Sequence, residues 1–193
     1  GLAIVNPLFT PGFCLEVGPI RPTSFLERVE GYGLEFFSQI EAEPGDVILL
    51  VSTAGRNAFP IEMAMAAKKA GLKVIGMTSL TYSQFVSSRH SSGKKMFEFC
   101  DIVLDNLTAP GDASLEDTRL PQKVGPTSGW MGCFILQAVM VEVAERLAEK
   151  GIKPPVYYAG NMDGQEEYVQ YQNTLLKERS TKYGGIYSPV RKM

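Results

Sequence analysis

Cysteine and histidine are scarce in this chain, which limits the kinds of site that it can form. The 193 residues include three cysteines, at positions 14, 100 and 133, and a single histidine, His90. The cysteines lie far apart and none forms a CxxC pair, which argues against a disulfide framework and against a zinc site. Each is therefore expected to be a small buried apolar residue. The sequence predicts no metal and no cofactor.

The chain also lacks a strong charge of one sign and a long apolar run. Its 19 basic and 21 acidic side chains give a net charge of −2, which argues against nucleic acid as the main partner. The longest apolar stretch, residues 130–141, is interrupted by Gln137 and is shorter than the ~20 residues needed to cross a bilayer. We therefore predict no membrane association and expect a cytoplasmic location.

Residues 46–79 carry the clearest pattern, that of a βαβ unit. Residues 46–52 are almost all aliphatic or β-branched, which is typical of a strand that is buried on both faces. A short polar turn leads into a helix over residues 58–70, which Gly71 ends. A second apolar strand follows at residues 73–79. Further strands and helices alternate along the chain, so we predict an α/β fold with a parallel sheet.

The turn between the first strand and the helix has the composition of a phosphate cradle. Ser52, Thr53, Gly55 and Arg56 precede a helix that Asn57 is expected to cap. Free N–H groups and the helix dipole favour anions at such a place. Thr78 and Ser79 end the neighbouring strand and are expected to add donors. The alternative is an ordinary βα turn in which these polar residues only cap strand and helix ends.

The rest of the chain is predicted as follows. Ser24 and Glu27 suggest a capping box that opens a helix reaching about Ile40, which glycines 31 and 33 would weaken or kink. A third strand is expected at residues 101–105, and residues 106–126 are expected to be irregular. The apolar helix over residues 128–150 should be deeply buried or lie in a subunit interface. A polar helix is predicted at residues 165–177, followed by a loosely held basic tail.

Taken in order, several motifs resemble those of the sugar isomerase (SIS) domain family. They are STAGRN at 52–57, PIEM at 60–63, VIGMTS at 74–79, SRHSSGK at 88–94, CDIVLD at 100–105, PGDA at 110–113 and QKVGP at 122–126. The resemblance extends to about Gly164 and points to one uncharacterised bacterial branch. It implies a flavodoxin-like αβα sandwich that binds a phosphosugar, with an SIS-type domain over residues 1–164 and a polar C-terminal helix and tail over residues 165–193.

Two departures from the family pattern affect the expected site. The family turn usually reads Ser-x-Ser-Gly, whereas its second serine is replaced here by Ala54. The family pattern also begins with a helix, a strand and a Gly-x-Gly-His-Ser turn, none of which precedes residue 1. The front portion of the domain is therefore expected to be missing, and with it further ligand contacts.

Four charged or titratable residues outside the turn are candidates for catalysis or binding. The resemblance favours His90 as a proton-transfer group, although a lone histidine is usually structural. Glu62 and Glu30 are candidate carboxylate bases, with compensation of the helix dipole as the alternative for Glu62. Lys123 is a candidate for closing over an anionic ligand, with a solvated loop lysine as its alternative. The sequence does not identify the catalytic base.

These expectations lead to one leading function and two rivals. The leading interpretation is a phosphosugar-binding domain that isomerises aldose and ketose phosphates. One rival is a sensor that binds a phosphosugar without turning it over, and the other is a lyase similar to muramic acid phosphate etherases. The binding turn alone does not distinguish them. SIS domains commonly pair, and the apolar helix over residues 128–150 offers surface for doing so, so a homodimer is expected.

Overall fold

The computed structural model describes residues 2–13, 20–159, 161–163 and 166–182. Two compact units are present: residues 10–135 form one, and residues 1–9 with 136–193 form the other. Cys14, the boundary predicted between residues 164 and 165, and most of the predicted tail lie outside the described residues. Each unit is described by itself.

The larger unit is built on a parallel sheet, and its first strands follow the predicted βαβ unit. Strands β1 (Val47–Val51), β2 (Lys73–Thr78) and β3 (Ile102–Asp105) pair in that order. Leu49 lies opposite Ile75 in the first pair, and Gly76 lies opposite Val103 in the second. All carboxyl ends of these strands therefore meet at one edge, where the polar turns follow. The predicted α/β class with a parallel sheet is confirmed.

Four helices and a 3₁₀ turn complete this part of the unit. They are α1 (Ile20–Leu26), α2 (Tyr32–Ser38), α3 (Ala58–Lys69), α4 (Leu80–Phe85) and the 3₁₀ turn Met96–Phe99. Helix α3 contributes four residues to a buried apolar cluster with β1, β2 and the 3₁₀ turn. The cluster comprises Ile48, Ile61, Met63, Ala64, Ala67, Leu72, Val74 and Met96. The core thus fixes the first turn of α3 against the sheet.

The single helix predicted from Ser24 to Ile40 is wrong. The segment forms two helices, and Ser24 lies inside α1 instead of capping it. The chain reverses at Gly31, whose φ of +88° favours glycine. Gly33 then packs so closely against α3 that a Cβ atom would lie 2.7 Å from the carbonyl oxygen of Phe59. Gly31 thus precedes the first residue of α2, and Gly33 lets α2 approach α3 closely.

A second close approach in the core gives a testable prediction about stability. A Cβ atom on Gly76 of β2 would lie 2.4 Å from Sγ of Cys100, which is half-buried. Gly76→Ala should therefore lower the free energy of unfolding by about 1–3 kcal/mol through overpacking. Urea denaturation measures the loss. The double variant Gly76→Ala/Cys100→Ala should recover most of it, and a double variant no more stable than Gly76→Ala would contradict this steric account.

The cysteines only partly follow the prediction. Burial, and secondarily the Asp101 carboxylate, raise the pKa of Cys100 to about 11, so its thiol is protonated at neutral pH. Cys133 is exposed on helix α5 (Ser128–Glu149), and its predicted burial is wrong.

Residues 106–126, expected to be irregular, contain a two-stranded antiparallel ribbon. Strands β4 (Ala113–Leu115) and β5 (Val124–Pro126) pair with Leu115 opposite Val124. Asp112 precedes the ribbon and accepts hydrogen bonds from the N–H groups of Thr127 and Ser128 at 3.0 and 2.9 Å. This carboxylate satisfies free donors at the start of α5, as an N-terminal cap does.

Helix α5 (Ser128–Glu149) exposes much of its apolar surface. Gly132 is its only buried member, whereas Trp130 is 63% and Phe134 70% exposed. The expectation of deep burial is therefore wrong, and the alternative of a subunit interface stays a prediction. In the smaller unit, Leu2 bridges Val156 in antiparallel fashion, and α6 (Glu166–Lys182) follows. Among the described helices, none combines the length and hydrophobicity of a membrane span.

Candidate functional site

The turn between β1 and α3 presents a run of unused backbone donors. The chain leaves the sheet at Ser52, whose N–H still donates to the Met77 carbonyl at 3.0 Å. From there to the start of the helix, the N–H groups of residues 53–58 donate to no acceptor within the described part of the chain. Backbone donors that are this close to a core are normally paired. Their number and their place at a helix N-terminus favour a bound anion.

Gly55 gives the turn its shape. Its φ of +56° lies in the left-handed region, and a Cβ atom would lie 3.3–3.4 Å from Thr78, Met96 and Ser83. Its carbonyl oxygen accepts from the Met96 N–H at 2.9 Å, which ties the turn to the 3₁₀ turn behind it. The donors of residues 53–58 are thus held in place by a buried glycine.

Arg56 adds a cation to this turn. Its Nη2 donates to Oγ of Ser87 at 3.2 Å. Its Nε is buried and has no partner among the described residues. A guanidinium nitrogen without an acceptor costs free energy in this position, so an incoming anion would relieve it. The structure thus brings Arg56 to the same turn as the free N–H groups.

Asn57 occupies the cap position of α3, but its side chain does not cap the helix. Its Oδ1 accepts from Nη1 of Arg89 at 3.0 Å instead. The Arg89 N–H also donates to the Arg56 carbonyl at 2.8 Å. The predicted N-terminal position is confirmed, and the helix donors near Asn57 are left without a side-chain acceptor from it.

The hydroxyls predicted to surround the phosphate fall into two groups. Ser52 and Thr53 are half-buried, and their hydroxyls have no partner among the described residues. Thr78 and Ser79 are fully buried, and their hydroxyls donate to the backbone carbonyls of Thr53 and Thr108. A hydroxyl has one hydrogen to donate, and Thr78 and Ser79 already donate theirs to backbone carbonyls. In this conformation they therefore stabilise the protein and cannot donate to a ligand. We retain only Ser52 and Thr53 as candidate ligand donors.

Glu62 lies on the inner face of α3 and is nearly inaccessible. It is 2% exposed, and its two carboxylate oxygens accept from the N–H groups of Gly31 at 2.6 Å and Gly33 at 2.8 Å. As the fifth residue of α3, it lies just beyond the first turn of the helix. The carboxylate therefore holds the start of α2 against α3.

His90 faces this carboxylate. Its Nε2 lies 3.6 Å from Oε1 of Glu62, and its side chain is 9% exposed. The Ser92 N–H donates to Nδ1 at 3.1 Å, and Oγ of Ser92 lies 2.8 Å from the same nitrogen. Because Nδ1 accepts a hydrogen bond, the neutral ring carries its proton on Nε2, towards Glu62. Nδ1 is thus hydrogen-bonded within the protein, whereas Nε2 faces Glu62 at a distance longer than a hydrogen bond.

Glu30 is the exposed member of the same cluster. Its two oxygens accept from the N–H and the hydroxyl of Ser91, at 2.6 and 2.7 Å. Both hydrogen bonds, the side-chain one first, lower the pKa of Glu30 from its ordinary value. The structure therefore brings together the three predicted catalytic candidates, Glu30, Glu62 and His90, which lie far apart in sequence.

The lowered pKa of Glu30 predicts a pH dependence. Since the pKa is depressed in the folded protein, the bonds to Ser91 stabilise it above the ordinary value of 4.5 and are lost as the pH falls through the folded value. Glu30→Gln should therefore flatten the acid limb of stability below this pH. Urea midpoints measured from about pH 3 to pH 6 would test this. Glu145→Gln, an exposed carboxylate on α5, is the control, and identical acid limbs for the wild type and Glu30→Gln would refute the prediction.

Lys123 makes no recorded contact with the turn or with the cluster of Glu30, Glu62 and His90 among the described residues. It belongs to the segment entering β5, and its Nζ forms an ion pair with Glu116 at 2.6 Å across the ribbon. The structure thus gives this lysine a carboxylate partner and no contact with the turn. Its predicted role over the ligand would require that ion pair to open.

Sequence reasoning missed Arg89 and Asp105 as parts of this region. Arg89 reaches the turn from a loop more than thirty residues away, and Asp105 ends β3, where its Oδ1 accepts from the Leu80 N–H at 3.2 Å. A carboxylate at the end of a parallel strand was a readable signal for the latter. The only sequence signal for Arg89 was the motif SRHSSGK, from which His90 was chosen as the functional residue.

The chain is similar to several known proteins. A family model described as an SIS domain matches residues 1–79, which include the whole turn and its neighbouring strand. A UPF0309 protein of Shouchella clausii is 46% identical over 179 residues, covering 93% of this chain and 71% of the relative. UPF0309 proteins of Oceanobacillus iheyensis and Streptomyces coelicolor are each 41% identical, over 168 and 169 residues. Each match covers 87% of this chain, and 68% and 67% of the respective relatives.

Proposed function

The chain belongs to the UPF0309 family, and we propose that it binds a phosphosugar with the phosphate group on the turn of residues 53–58. The observation that carries the proposal is the run of N–H groups at the start of α3 that have no acceptor in the described part of the chain. The SIS domain match supports the sugar part, since it indicates phosphosugar binding. Phosphate and sugar are thus inferred from independent observations.

The proposed site suits the charge of its ligand. A phosphate monoester carries about −1.5 to −2 charges at neutral pH and offers three strong acceptor oxygens. The N–H groups of residues 53–58, the hydroxyls of Ser52 and Thr53, and Arg56 supply donors for those oxygens. Charge-assisted bonds from a guanidinium are about twice as strong as neutral ones. We therefore assign most of the binding free energy to the phosphate.

A calorimetric comparison of glucose 6-phosphate with glucose tests this proposal. The phosphate ester should bind at least a hundredfold more tightly, and it should raise the melting temperature because it binds only the folded state. Inorganic phosphate is the control for binding of the anion alone. Equal affinity for glucose and glucose 6-phosphate would refute the proposed site.

Within this function, we propose aldose–ketose isomerisation as the reaction. It moves a proton between neighbouring carbons and needs an acid or base beside the sugar. Glu30, the exposed carboxylate of the cluster, is the group best placed to act, since each of its oxygens keeps a second lone pair. His90 and Glu62 would then hold the loop of residues 88–92 that carries its partner Ser91. The beginning of that loop lies next to the turn, because the Arg89 N–H donates to the Arg56 carbonyl.

One observation favours the rival function, a sensor that binds the phosphosugar without turnover. The side chain of His90 is largely buried and its Nδ1 accepts a hydrogen bond from the Ser92 N–H, so it is poorly placed to exchange protons with a ligand. Hydrogen bonds also lower the pKa of Glu30, which weakens it as a base. A sensor needs neither group to react.

Turnover assays separate the two functions. Each hexose and pentose phosphate that binds is incubated with the protein, and interconversion with its ketose or aldose partner is followed by NMR. Isomerisation predicts turnover that Glu30→Gln removes while phosphosugar affinity stays within about threefold. Tight binding without interconversion of any ligand would favour the sensor.

We also propose that the chain forms a homodimer through α5. Trp130 and Phe134 expose large apolar side chains on this helix, and contiguous apolar surface of this kind marks interaction sites. Sedimentation at micromolar concentration should give a dimer mass for the wild type and a monomer mass for Phe134→Glu. A wild-type monomer would refute the proposal.

A further inference from the structure

Asp105 ends β3 at the same edge of the sheet as the turn of residues 53–58. It lies opposite Thr78 of β2, and the N–H of the next residue, Asn106, donates to the Thr78 carbonyl at 3.0 Å. The Thr78 hydroxyl donates in turn to the carbonyl of Thr53 at 2.9 Å. A series of contacts therefore runs from Asp105 across the end of β2 to the turn.

The carboxylate of Asp105 is held in one orientation. Its Oδ1 accepts from the N–H groups of Leu80 at 3.2 Å and Leu107 at 3.0 Å. Leu107 has a φ of +56°, which leucine rarely adopts, so the loop after β3 bends to provide this donor. Oδ2 has no hydrogen-bond partner among the described residues and reaches solvent. Asp105 thus presents a fixed acceptor that the protein does not use.

The end of β2, which lies between Asp105 and the turn, offers no comparable group. The hydroxyls of Thr78 and Ser79 donate to backbone carbonyls. The N–H groups of Ser79, Leu80 and Tyr82 all donate within the protein as well. A ligand that extends from the turn over β2 therefore meets groups that are already paired, and Asp105 offers it an open oxygen beyond them.

The distance from the turn to Asp105 suits a sugar phosphate of a particular length. Neighbouring strands lie about 4.8 Å apart, so the ends of β1 and β3 are separated by about 10 Å across β2. A hexose phosphate with its phosphate on the turn can place the hydroxyls of its far carbons near β3. Glycerol 3-phosphate has half the carbon chain and falls short of it.

We propose that Oδ2 of Asp105 accepts hydrogen bonds from hydroxyls at the far end of the sugar, so that the site selects a hexose-length phosphate over a three-carbon one. The inference rests on the proposed function, because it takes the phosphate on the turn of residues 53–58 as given. Hydrogen bonds from hydroxyls to an ionised carboxylate are short and strong. Since the protein already orients the acceptor, little side-chain entropy is lost on binding.

Titration calorimetry with glucose 6-phosphate and glycerol 3-phosphate tests the inference. The wild type should bind glucose 6-phosphate about tenfold or more tightly, the gain of one charge-assisted hydrogen bond. Asp105→Asn should remove most of this advantage and leave the affinity for glycerol 3-phosphate within about threefold. In that variant the N–H groups of Leu80 and Leu107 keep the amide oxygen at the Oδ1 position, so an NH₂ donor replaces the acceptor that faces the sugar.

A second variant and a matched control make the result specific. Asp105→Ser keeps a hydroxyl that can accept the Leu107 N–H but leaves no oxygen at the Oδ2 position, so it should also lose the advantage. Asp101→Asn is the control at the opposite end of β3, where Oδ2 of Asp101 accepts the Val74 N–H at 2.9 Å, and it should keep the full advantage. Thermal melting shows that each variant is folded at the temperature of the titration.

The outcomes separate this inference from the function on which it rests. If both phosphate esters bind the wild type equally tightly, the sugar contact is refuted and the phosphate site stands. An advantage of glucose 6-phosphate that survives in folded Asp105→Asn and Asp105→Ser refutes Asp105 as its cause. If neither ester binds at all, the proposed function fails and the inference fails with it.

Discussion

Replacing Arg56 with alanine should weaken the binding of glucose 6-phosphate by about 10- to 100-fold, the cost of one or two charge-assisted hydrogen bonds. The expected loss follows from the buried Nε of Arg56, which has no partner among the described residues and lies in the proposed phosphate turn. Binding free energy is lost only for ligands that carry a phosphate group. The weak affinity for glucose should therefore stay unchanged, and calorimetry with both ligands measures the difference.

Two controls make the Arg56 result interpretable. Arg119→Ala removes the same charge from an exposed ion pair with Asp117 and should leave both affinities unchanged. Arg56→Lys keeps the charge but loses the planar fork, so it should fall between the wild type and Arg56→Ala. Equal losses of affinity for the sugar and its phosphate in Arg56→Ala would show that this side chain does not touch phosphate.

The second large effect is expected from Glu62→Gln, which should lower the free energy of unfolding by about 2–4 kcal/mol. The carboxylate is 2% exposed and accepts the N–H groups of Gly31 and Gly33 with separate oxygens. Glutamine has one oxygen and one NH₂ group. One buried N–H would therefore face another donor, and its hydrogen bond would be lost. Urea denaturation at pH 7 measures the change.

The consequences of Glu62→Gln should extend to α2 and the loop that carries His90. Amide exchange should increase at Gly31, at Gly33 and in the loop of residues 88–92, while the strands keep their protection. Glu149→Gln, at the exposed end of α5, is the control and should change stability by less than about 0.5 kcal/mol. A Glu62→Gln protein as stable as this control would mean that the carboxylate is not needed to hold α2.

Local sequence patterns predicted the three parallel strands and the central helix, because there the local preference and the core agree. The run of aliphatic residues at 47–51, for example, forms the predicted strand. Its predicted burial on both faces is wrong, because Val47 and Val51 are exposed and only Ile48 is buried. Gly71 ended α3 as expected, with a φ of +83° at the turn that leads into β2. The polar turn between them was predicted for the same reason, since it must join a buried strand to a helix at the sheet edge.

Long-range contacts explain what the sequence did not predict. The break between α1 and α2 depends on Glu62, which lies about thirty residues downstream of the glycines that it binds. The helical pattern of residues 24–40 does not indicate that Glu62 binds the N–H groups of this segment. The inward bonds of Thr78 and Ser79 likewise depend on carbonyls of other turns. A hydroxyl next to a binding turn has the same sequence pattern whether it faces the ligand or the core.

Helix α5 shows a different limit of sequence reasoning. An apolar helix surface indicates that something must cover it, but the pattern is the same for a core and for an interface. Trp130 and Phe134 are exposed, so they do not belong to the core of the described part of the chain. The choice of partner depends on surfaces that a sequence pattern does not describe.

The most direct test of the account is a crystal structure of the protein with glucose 6-phosphate. The account predicts that the phosphorus atom lies over the turn of residues 53–58, with its oxygens within hydrogen-bond distance of several of those N–H groups and of Arg56. A phosphate group bound elsewhere on the chain, with the turn left empty at saturating ligand, would contradict it.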